Sequence, residues 1–218
     1  MFAGVARRYD LLNRVLSLRR DVGWRRRLLS ALASATTGPL LDLATGTGDV
    51  ALAARARPVV GADFCIDMLA LARRKGMRRG VAVGWVAADA LALPFRPGVF
   101  AAVTVAFGVR NFADLDLGLA EISRVLAPRG LVAILEFQQP QNPLMAALSA
   151  VWNRLVVTPL GRCLSDDAQA YAYLPASVAT FPAAAELAER LALACLRVEG
   201  GENLSGGIAA VTTARREV

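Results

Sequence analysis

Histidine is absent from the 218 residues. Its absence removes imidazole acid–base chemistry, His-ligated metals and Ser-His-Asp catalysis. Any mechanism must work with carboxylates, tyrosine, arginine, amides, backbone and water. The three cysteines, Cys65, Cys163 and Cys195, lie far apart without a CxxC spacing, which gives neither a disulfide framework nor a zinc site. Each reads as a small buried apolar residue. Lysine is nearly missing, Lys75 being the only one among 25 basic residues, and aromatics are 6%. The longest apolar runs, residues 100–109 and 131–137, are strand-sized, short of the roughly 20 residues a spanning helix needs. The start, MFAGVARRYD, lacks the apolar stretch of a signal peptide. A cytoplasmic location is the expectation.

What is present is arginine and small aliphatics. The formal charge is +7, which invites a phosphate-bearing or anionic-surface partner. Hydrophobic residues make up 56%, mostly Ala, Val and Leu, enough for one well-packed domain over 1–218. Residues 1–35 read as two helices, the second with Asp21 placed to cap it and Trp24, Leu28, Leu29 and Leu32 on its apolar side. A core over 38–137 then alternates strands (39–44, 58–63, 81–88, 99–107, 131–137) with helices (50–57, 67–74, 115–126). The last of these helices is closed by Pro128-Arg129-Gly130. Residues 138–180 break the alternation and read as a helical insertion over the site. Residues 181–218 hold a last helix (182–193) and two apolar runs (194–198 and 207–213) that pair as a hairpin at the sheet edge. Such alternation makes an α/β domain with a mostly parallel sheet covered on both faces. In that architecture ligands bind beyond the carboxyl ends of the strands.

Every polar motif falls at such an end. LDLATGTGD (41–49) takes a buried strand into Gly46-Thr47-Gly48, where glycine permits positive φ and close approach of a ligand. Asp63 ends the next strand, where a carboxylate can accept both hydroxyls of a ribose. Asp89-Ala90 follows the third, suited to an adenine amino edge. The same loop matches GxGxxA, so a nicotinamide dinucleotide is the competing ligand. Asp49 at the expected helix start opposes a pyrophosphate. The Tyr-Lys pair usual in such enzymes is also missing, since Leu71 stands four residues before Lys75. No Gly-Lys-Ser/Thr exists for a P-loop. An RNA-directed activity would want basic residues interleaved with exposed aromatics, a pattern that is poor here.

Further segments add specificity: Ala6-Arg7-Arg8-Tyr9-Asp10-Leu11-Leu12-Asn13, Phe107-Gly108-Val109-Arg110-Asn111, and Ala172-Tyr173-Leu174-Pro175 with Phe181-Pro182. With LDLATGTGD, DALALPF, RVLAPRG and LEF, the chain resembles, over nearly its whole length, the quinone-biosynthesis C-methyltransferases. These are the demethylmenaquinone and polyprenyl-benzoquinol enzymes. The resemblance implies the Rossmann-like class I fold of S-adenosylmethionine-dependent methyltransferases, with seven strands of which the last is antiparallel. It implies S-adenosyl-L-methionine as cofactor and methylation of a ring carbon on a reduced polyprenyl quinone, naphthoquinol or benzoquinol. By residue matching, Gly46, Thr47, Gly48, Asp63, Asp89 and Ala90 would hold the cofactor. Arg110, Asn111 and Tyr9 would face the ring. No metal is needed. The sequence departs from the family at Ala106, where Ser is usual, at Gln138-Gln139 after LEF, and in its C-terminus without histidine. The chain starts at the first motif, which leaves a trimmed N-terminus open.

In the implied reaction Arg110, always protonated, stabilises the developing phenolate, and the proton leaves through a water or a carboxylate such as Asp10. A structural ion pair is the alternative role for Arg110. Helix packing and capping are the alternatives for Tyr9 and Asn13. Arg19-Arg20 and Arg25-Arg26-Arg27, beside Leu16, Leu18 and Trp24, suggest peripheral contact with anionic headgroups or simply a solvated basic face. The apolar insertion leaves a homodimer open.

Overall fold

The computed structural model describes residue 14 and residues 17–55, 57–140, 142–152, 177, 178 and 180–217. Its strands are β1 (Leu40–Leu43), β2 (Val59–Asp63), β3 (Gly84–Ala87), β4 (Phe100–Ala106), β5 (Leu126–Phe137), β6 (Leu196–Leu204) and β7 (Ala209–Arg216). Helices α1 (Arg20–Ser30), α2 (Ile66–Arg79), α3 (Leu115–Val125), α4 (Pro143–Trp152) and α5 (Ala184–Leu193) surround them. The seven strands form one sheet in the order β3-β2-β1-β4-β5-β7-β6. β1 to β5 pair in parallel, and β7 runs antiparallel between β5 and β6. The expected hairpin therefore exists, with only β6 at the edge.

The central strands are apolar on both faces because helices cover both. All four residues of β1 and the first six of β4 are buried. One core cluster joins β1, β4 and β5 to α3 and α5 through Leu41, Phe100, Leu119, Ile122 and Leu191. The other joins them to α1 through Trp24, Leu28, Leu40 and Leu135. Asp114 caps α3, its Oδ1 accepting the Leu117 N–H at 3.0 Å.

Four local expectations are corrected. Residues 48–54 wind through turns instead of a continuous 50–57 helix, with Leu52 N–H bonded to the Gly48 carbonyl and Ala54 N–H to the Val50 carbonyl. The Ala51 N–H is drawn out of that ladder by the Asp42 carboxylate at 3.1 Å, a side-chain bond that competes with regular helix. Asp21 does not cap α1. It lies buried in the first turn, accepts the Ser17 hydroxyl at 2.8 Å and pairs with Arg25, while Arg19 takes the capping position with φ 61°. β5 begins at Leu126, five residues before the expected strand, because Phe100 pairs with Leu126 ahead of the irregularity at Pro128-Arg129-Gly130. Of the cysteines, Cys65 is half-buried ahead of α2 and Cys195 is exposed in the turn after α5. Cys163 lies outside the described residues.

The order reverses at β1, whose neighbours are β2 and β4, so the switch point lies beyond Leu43 and Ala106. The chain leaves that point through left-handed residues: Ala44 at φ 53° and Phe107 at φ 58°. Glycine is needed twice in the loop after β1, for different reasons. Gly46 has φ +55° and open space where a Cβ would stand. At Gly48, φ is +80° and a Cβ would sit 2.6 Å from the Trp85 ring and 3.1 Å from Ala72. We expect Gly46→Ala to lose about 1 kcal/mol, the left-handed cost alone. Gly48→Ala adds overpacking and should lose roughly 2–4 kcal/mol. Chemical denaturation of both variants checks the ranking.

Candidate active site

Asp42 builds the floor of the site from the middle of β1. It is 1% exposed. Its Oδ2 accepts the Thr45 hydroxyl at 2.5 Å and the Ala51 N–H at 3.1 Å, and its Oδ1 accepts the Thr104 hydroxyl at 2.8 Å. One carboxylate thus ties β1, the glycine loop and β4 together. Burial pushes its carboxyl up from 3.8 to about 6, opposed by hydrogen bonds from Thr45, Thr104 and Ala51 and by the charge of Arg25. The sequence reading did not single it out.

Asp63 closes the loop from β2. Its Oδ2 accepts the Gly46 N–H at 2.7 Å and its Oδ1 accepts the Cys65 N–H at 2.8 Å. Each oxygen keeps a lone pair, enough for two hydroxyl donors. Burial raises its carboxyl, against the Cys65 and Gly46 amides. β3 adds the third strand end. The Ala88 N–H bonds the Asp63 carbonyl at 3.0 Å, which sets Asp89 beside it. Asp89 is exposed, its Oδ1 holding the Leu91 N–H at 2.9 Å. Ala90 packs its side chain against the core. Phe64, 79% exposed after Asp63, and Ile66, 70% exposed, flank this edge. Of the three strand ends expected to converge on one pocket, Gly46 and Asp63 are joined by a hydrogen bond, and Asp89 follows the Ala88 rung that continues the β2–β3 ladder.

Lys75, read only as a missing dinucleotide residue, proves part of the loop. Its Nζ donates to the Thr47 hydroxyl at 2.9 Å and to Asp49 Oδ1 at 2.8 Å. Burial alone would raise the Asp49 carboxyl, but the Lys75 hydrogen bond, with the charges of Lys75, Arg25 and Arg14, holds it low. Arg25 points inward, 3.7 Å from Asp49 and 5.9 Å above the Phe107 ring. Trp24 is buried against Phe107 and Phe137 and donates to Ser205 Oγ at 3.0 Å. Neither Arg25 nor Trp24 therefore belongs to a basic outer face. Arg27 pairs with Glu202, and Arg19, Arg20 and Arg26 stay exposed.

Across β1 lies the segment after β4. A small pocket joins Arg25, Ala44, Gly46 and Thr47 of the cofactor side to Ala106 and Phe107. The Phe107 carbonyl accepts Arg110 Nη1 at 2.9 Å and Asn111 Nδ2 at 3.4 Å. Arg110 Nη1 also meets Glu136 Oε1 at 2.5 Å, both side chains nearly enclosed. Among the described residues, Arg110 Nε is the one buried side-chain polar atom without a hydrogen-bond partner. An orphaned donor of this kind costs about 1–3 kcal/mol, which an incoming acceptor would relieve. Tyr9, Asp10 and Asn13 lie outside the described residues. No group of three or more potential metal ligands occurs among the described residues.

Residues 1–216 match the ubiE/COQ5 methyltransferase family. The chain belongs to this family. It is 47% identical to the demethylmenaquinone methyltransferase of Thermus thermophilus over 215 residues, covering 97% of each chain. It is 42% identical over 212 residues to the ubiquinone/menaquinone biosynthesis C-methyltransferase of Syntrophotalea carbinolica, covering 95% of this chain and 89% of that one. A SAM dependent methyltransferase from Aquifex aeolicus shares the fold at a TM-score of 0.63 and 16% identity, covering 88% of each chain. The cofactor of this methyltransferase is S-adenosylmethionine. The residues fit that ligand: Asp63 has spare acceptor capacity for ribose hydroxyls, and Gly46 leaves its face open.

A buried carboxyl with a raised value makes a pH test possible. The folded state binds the Asp42 proton more tightly than the unfolded chain. Its contribution to stability is full below pH about 4 and is lost as pH rises through about 6, amounting to about 3 kcal/mol at pH 7. Asp42→Asn removes this titration. We expect the variant to gain on the parent protein between pH 4 and pH 7, read from urea unfolding of both at each pH.

Proposed function

We propose that the chain methylates a ring carbon of a reduced polyprenyl quinone, demethylmenaquinol in the first instance, with S-adenosylmethionine as donor. The observation that carries the site assignment is the unpaired, buried Nε of Arg110, whose guanidinium is bonded to the carbonyl of Phe107, a residue that shares a pocket with Gly46 and Thr47. The names of the relatives support the substrate class. The name of the Syntrophotalea relative keeps a benzoquinol as the second acceptor.

S-adenosylmethionine supplies an electrophilic methyl group when bound. Asp63 would accept its ribose hydroxyls, Gly46 and Thr47 would line its approach, and Asp89 with Ala90 would meet the adenine edge. Phe64, exposed beside Asp63, offers an apolar face to that base. Gly48 contributes through close packing on Trp85. On the acceptor side the ring carbon becomes nucleophilic as the adjacent hydroxyl gives up its proton. Arg110 would donate to the resulting oxyanion, with Asn111 and Tyr9 orienting the ring. A guanidinium remains protonated, so the proton itself passes to water or to a carboxylate. Holding the two reacting atoms together in an enclosed site supplies a large part of the rate.

No described helix is long and apolar enough to cross a membrane. Leu144, Leu148 and Val151, exposed at i, i+4 and i+7 on α4, support peripheral contact with the bilayer that holds such a substrate. The same stripe would serve a homodimer. Co-sedimentation with anionic vesicles, compared for the parent protein and Leu148→Glu, separates the two, since a dimer contact would change the sedimentation coefficient instead.

Methyl transfer from labelled cofactor to short-chain demethylmenaquinol and benzoquinol analogues, run side by side, tests the activity. Faster transfer to the naphthoquinol is expected, and no transfer to either ring would overturn the proposal. S-adenosylhomocysteine should raise the melting temperature, whereas NAD should leave it unchanged. Arg110→Lys, which loses Nε and the fork, should cut turnover at least tenfold and leave S-adenosylhomocysteine affinity within twofold. Near-normal turnover in that variant would remove the role given to Arg110.

A further inference from the structure

We infer that Glu136 is a positioning residue of the methyl transfer, holding the Arg110 guanidinium by its Nη1 end so that the Nε edge is left for the acceptor oxygen. The inference rests on the reading of Arg110 as the group that faces the quinol. Glu136 is the next-to-last residue of β5 and is 2% exposed. Its Oε1 accepts both Arg110 Nη1 at 2.5 Å and the Phe137 N–H at 2.9 Å, and its Oε2 lies 3.4 Å from the Arg110 N–H. The carboxylate therefore grips Arg110 at its backbone and at its tip. The Phe107 carbonyl takes a second bond from the same Nη1. Phe137 spreads beneath the guanidinium, its centroid 5.4 Å from Cζ. All of these contacts engage one end or one face of the planar group. Nε is left with its hydrogen and no acceptor.

A pair built only for stability would be expected to satisfy the guanidinium, because a partly satisfied buried network is worse than an apolar core. Here the donor left open belongs to a residue bonded to the carbonyl of Phe107, which lines the pocket beside Gly46 and Thr47. Glutamine cannot copy the grip. Arg110 N–H, Arg110 Nη1 and Phe137 N–H are all donors, and whichever oxygen the amide NH2 replaces would face one of them.

The experiment compares Glu136→Gln and Glu136→Asp with the full-length parent protein, using a short-chain demethylmenaquinol and S-adenosylhomocysteine as probes. For Glu136→Gln we expect kcat to fall ten- to a hundredfold, with the quinol KM and the S-adenosylhomocysteine Kd within about threefold. Glu136→Asp, which keeps the charge, should recover part of kcat. Turnover of Glu136→Gln within twofold of the parent would overturn the inference. So would a loss of cofactor affinity as large as the loss of kcat, which would mark a merely structural role. If Glu136→Gln does not fold, Glu136→Asp is read alone: kcat must fall with both binding constants held, and any other result overturns the inference. Arg110→Ala run alongside keeps the two ideas apart. Loss of turnover in Arg110→Ala with normal turnover in Glu136→Gln defeats only the role of Glu136. Normal turnover in both defeats the site assignment beneath it.

Discussion

The carboxylate of Asp42 is the point from which the site is built. From β1 it accepts three hydrogen bonds, from Thr45 in the glycine loop, from Ala51 in the turns that follow and from Thr104 in β4. Without it the Ala51 N–H would be free to close a regular helical ladder and Thr45 would have no inward anchor. The Thr45 N–H, bonded to the Ala62 carbonyl at 3.0 Å, would be left to hold Gly46 beside Asp63. Burying this group is costly, and the rise of its carboxyl to about 6 measures the cost. The fold carries that penalty at the topological switch, where loop geometry decides what can bind. Ala44 and Phe107, both left-handed and neither glycine, sit at the same place. Strain and a buried acid therefore concentrate where two strand ends diverge around a ligand.

The parts of this arrangement that were legible in the sequence follow from periodicity and from strand ends. Buried strands of four to seven aliphatic residues announced the parallel sheet. The acid after β2 and the glycines after β1 announced a nucleoside-sized ligand. Side-chain direction was not legible. Arg25 read as part of a basic cluster, solvated or facing headgroups, because the neighbouring arginines are indistinguishable from it in sequence, whereas Trp24 had its place on the apolar side of the helix as well as beside that cluster. The packing of α1 on β4, β5 and β7 turns Trp24 into the core and Arg25 toward Asp49. Lys75 and Glu136 were missed for the same reason: their partners lie 26 residues away in each case. The one available signal was positional. A lone lysine in an arginine-rich chain and an acid inside the apolar run LVAILEF are both exceptions to their surroundings.

The helix expected after the glycine loop shows how tertiary contact overrides local pattern. Ala51, Leu52, Ala53 and Ala54 are good helix formers, and two helical bonds do form there. A hydrogen bond to a buried carboxylate is stronger than one more rung of a short helix, so the ladder yields at Ala51. The segment then reaches β2 without the regular helix that a dinucleotide site would place behind its phosphates. Asp49, held ionised by Lys75 and Arg25, stands where a pyrophosphate would need positive charge. The same loop that resembles a dinucleotide fingerprint in one dimension is, in three, poorly suited to a pyrophosphate.

On the proposed assignment, charge balance accounts for Arg110 being paired with Glu136 and not left alone. The methyl donor is a sulfonium cation. A naked guanidinium in the same enclosed region would repel it, since like charges interact strongly where the effective dielectric constant is near 20 or below. Glu136 cancels that charge at close range and leaves the N–H dipole at Nε intact. In the proposed role the pair would present hydrogen-bonding power to an oxyanion without a net positive charge facing the donor. On the cofactor side the same logic operates in reverse. Lys75, Asp49, Arg25 and Asp21 form a chain of alternating sign, so the loop assigned to the cation is itself close to neutral. Asp63 is then the carboxylate left to act on the ligand, and its amide partners hold it in place without neutralising it. Apart from Asp63, the charged groups around the proposed site are paired with one another, so that the reactants would meet mainly oriented dipoles, which need no rearrangement as the methyl group moves.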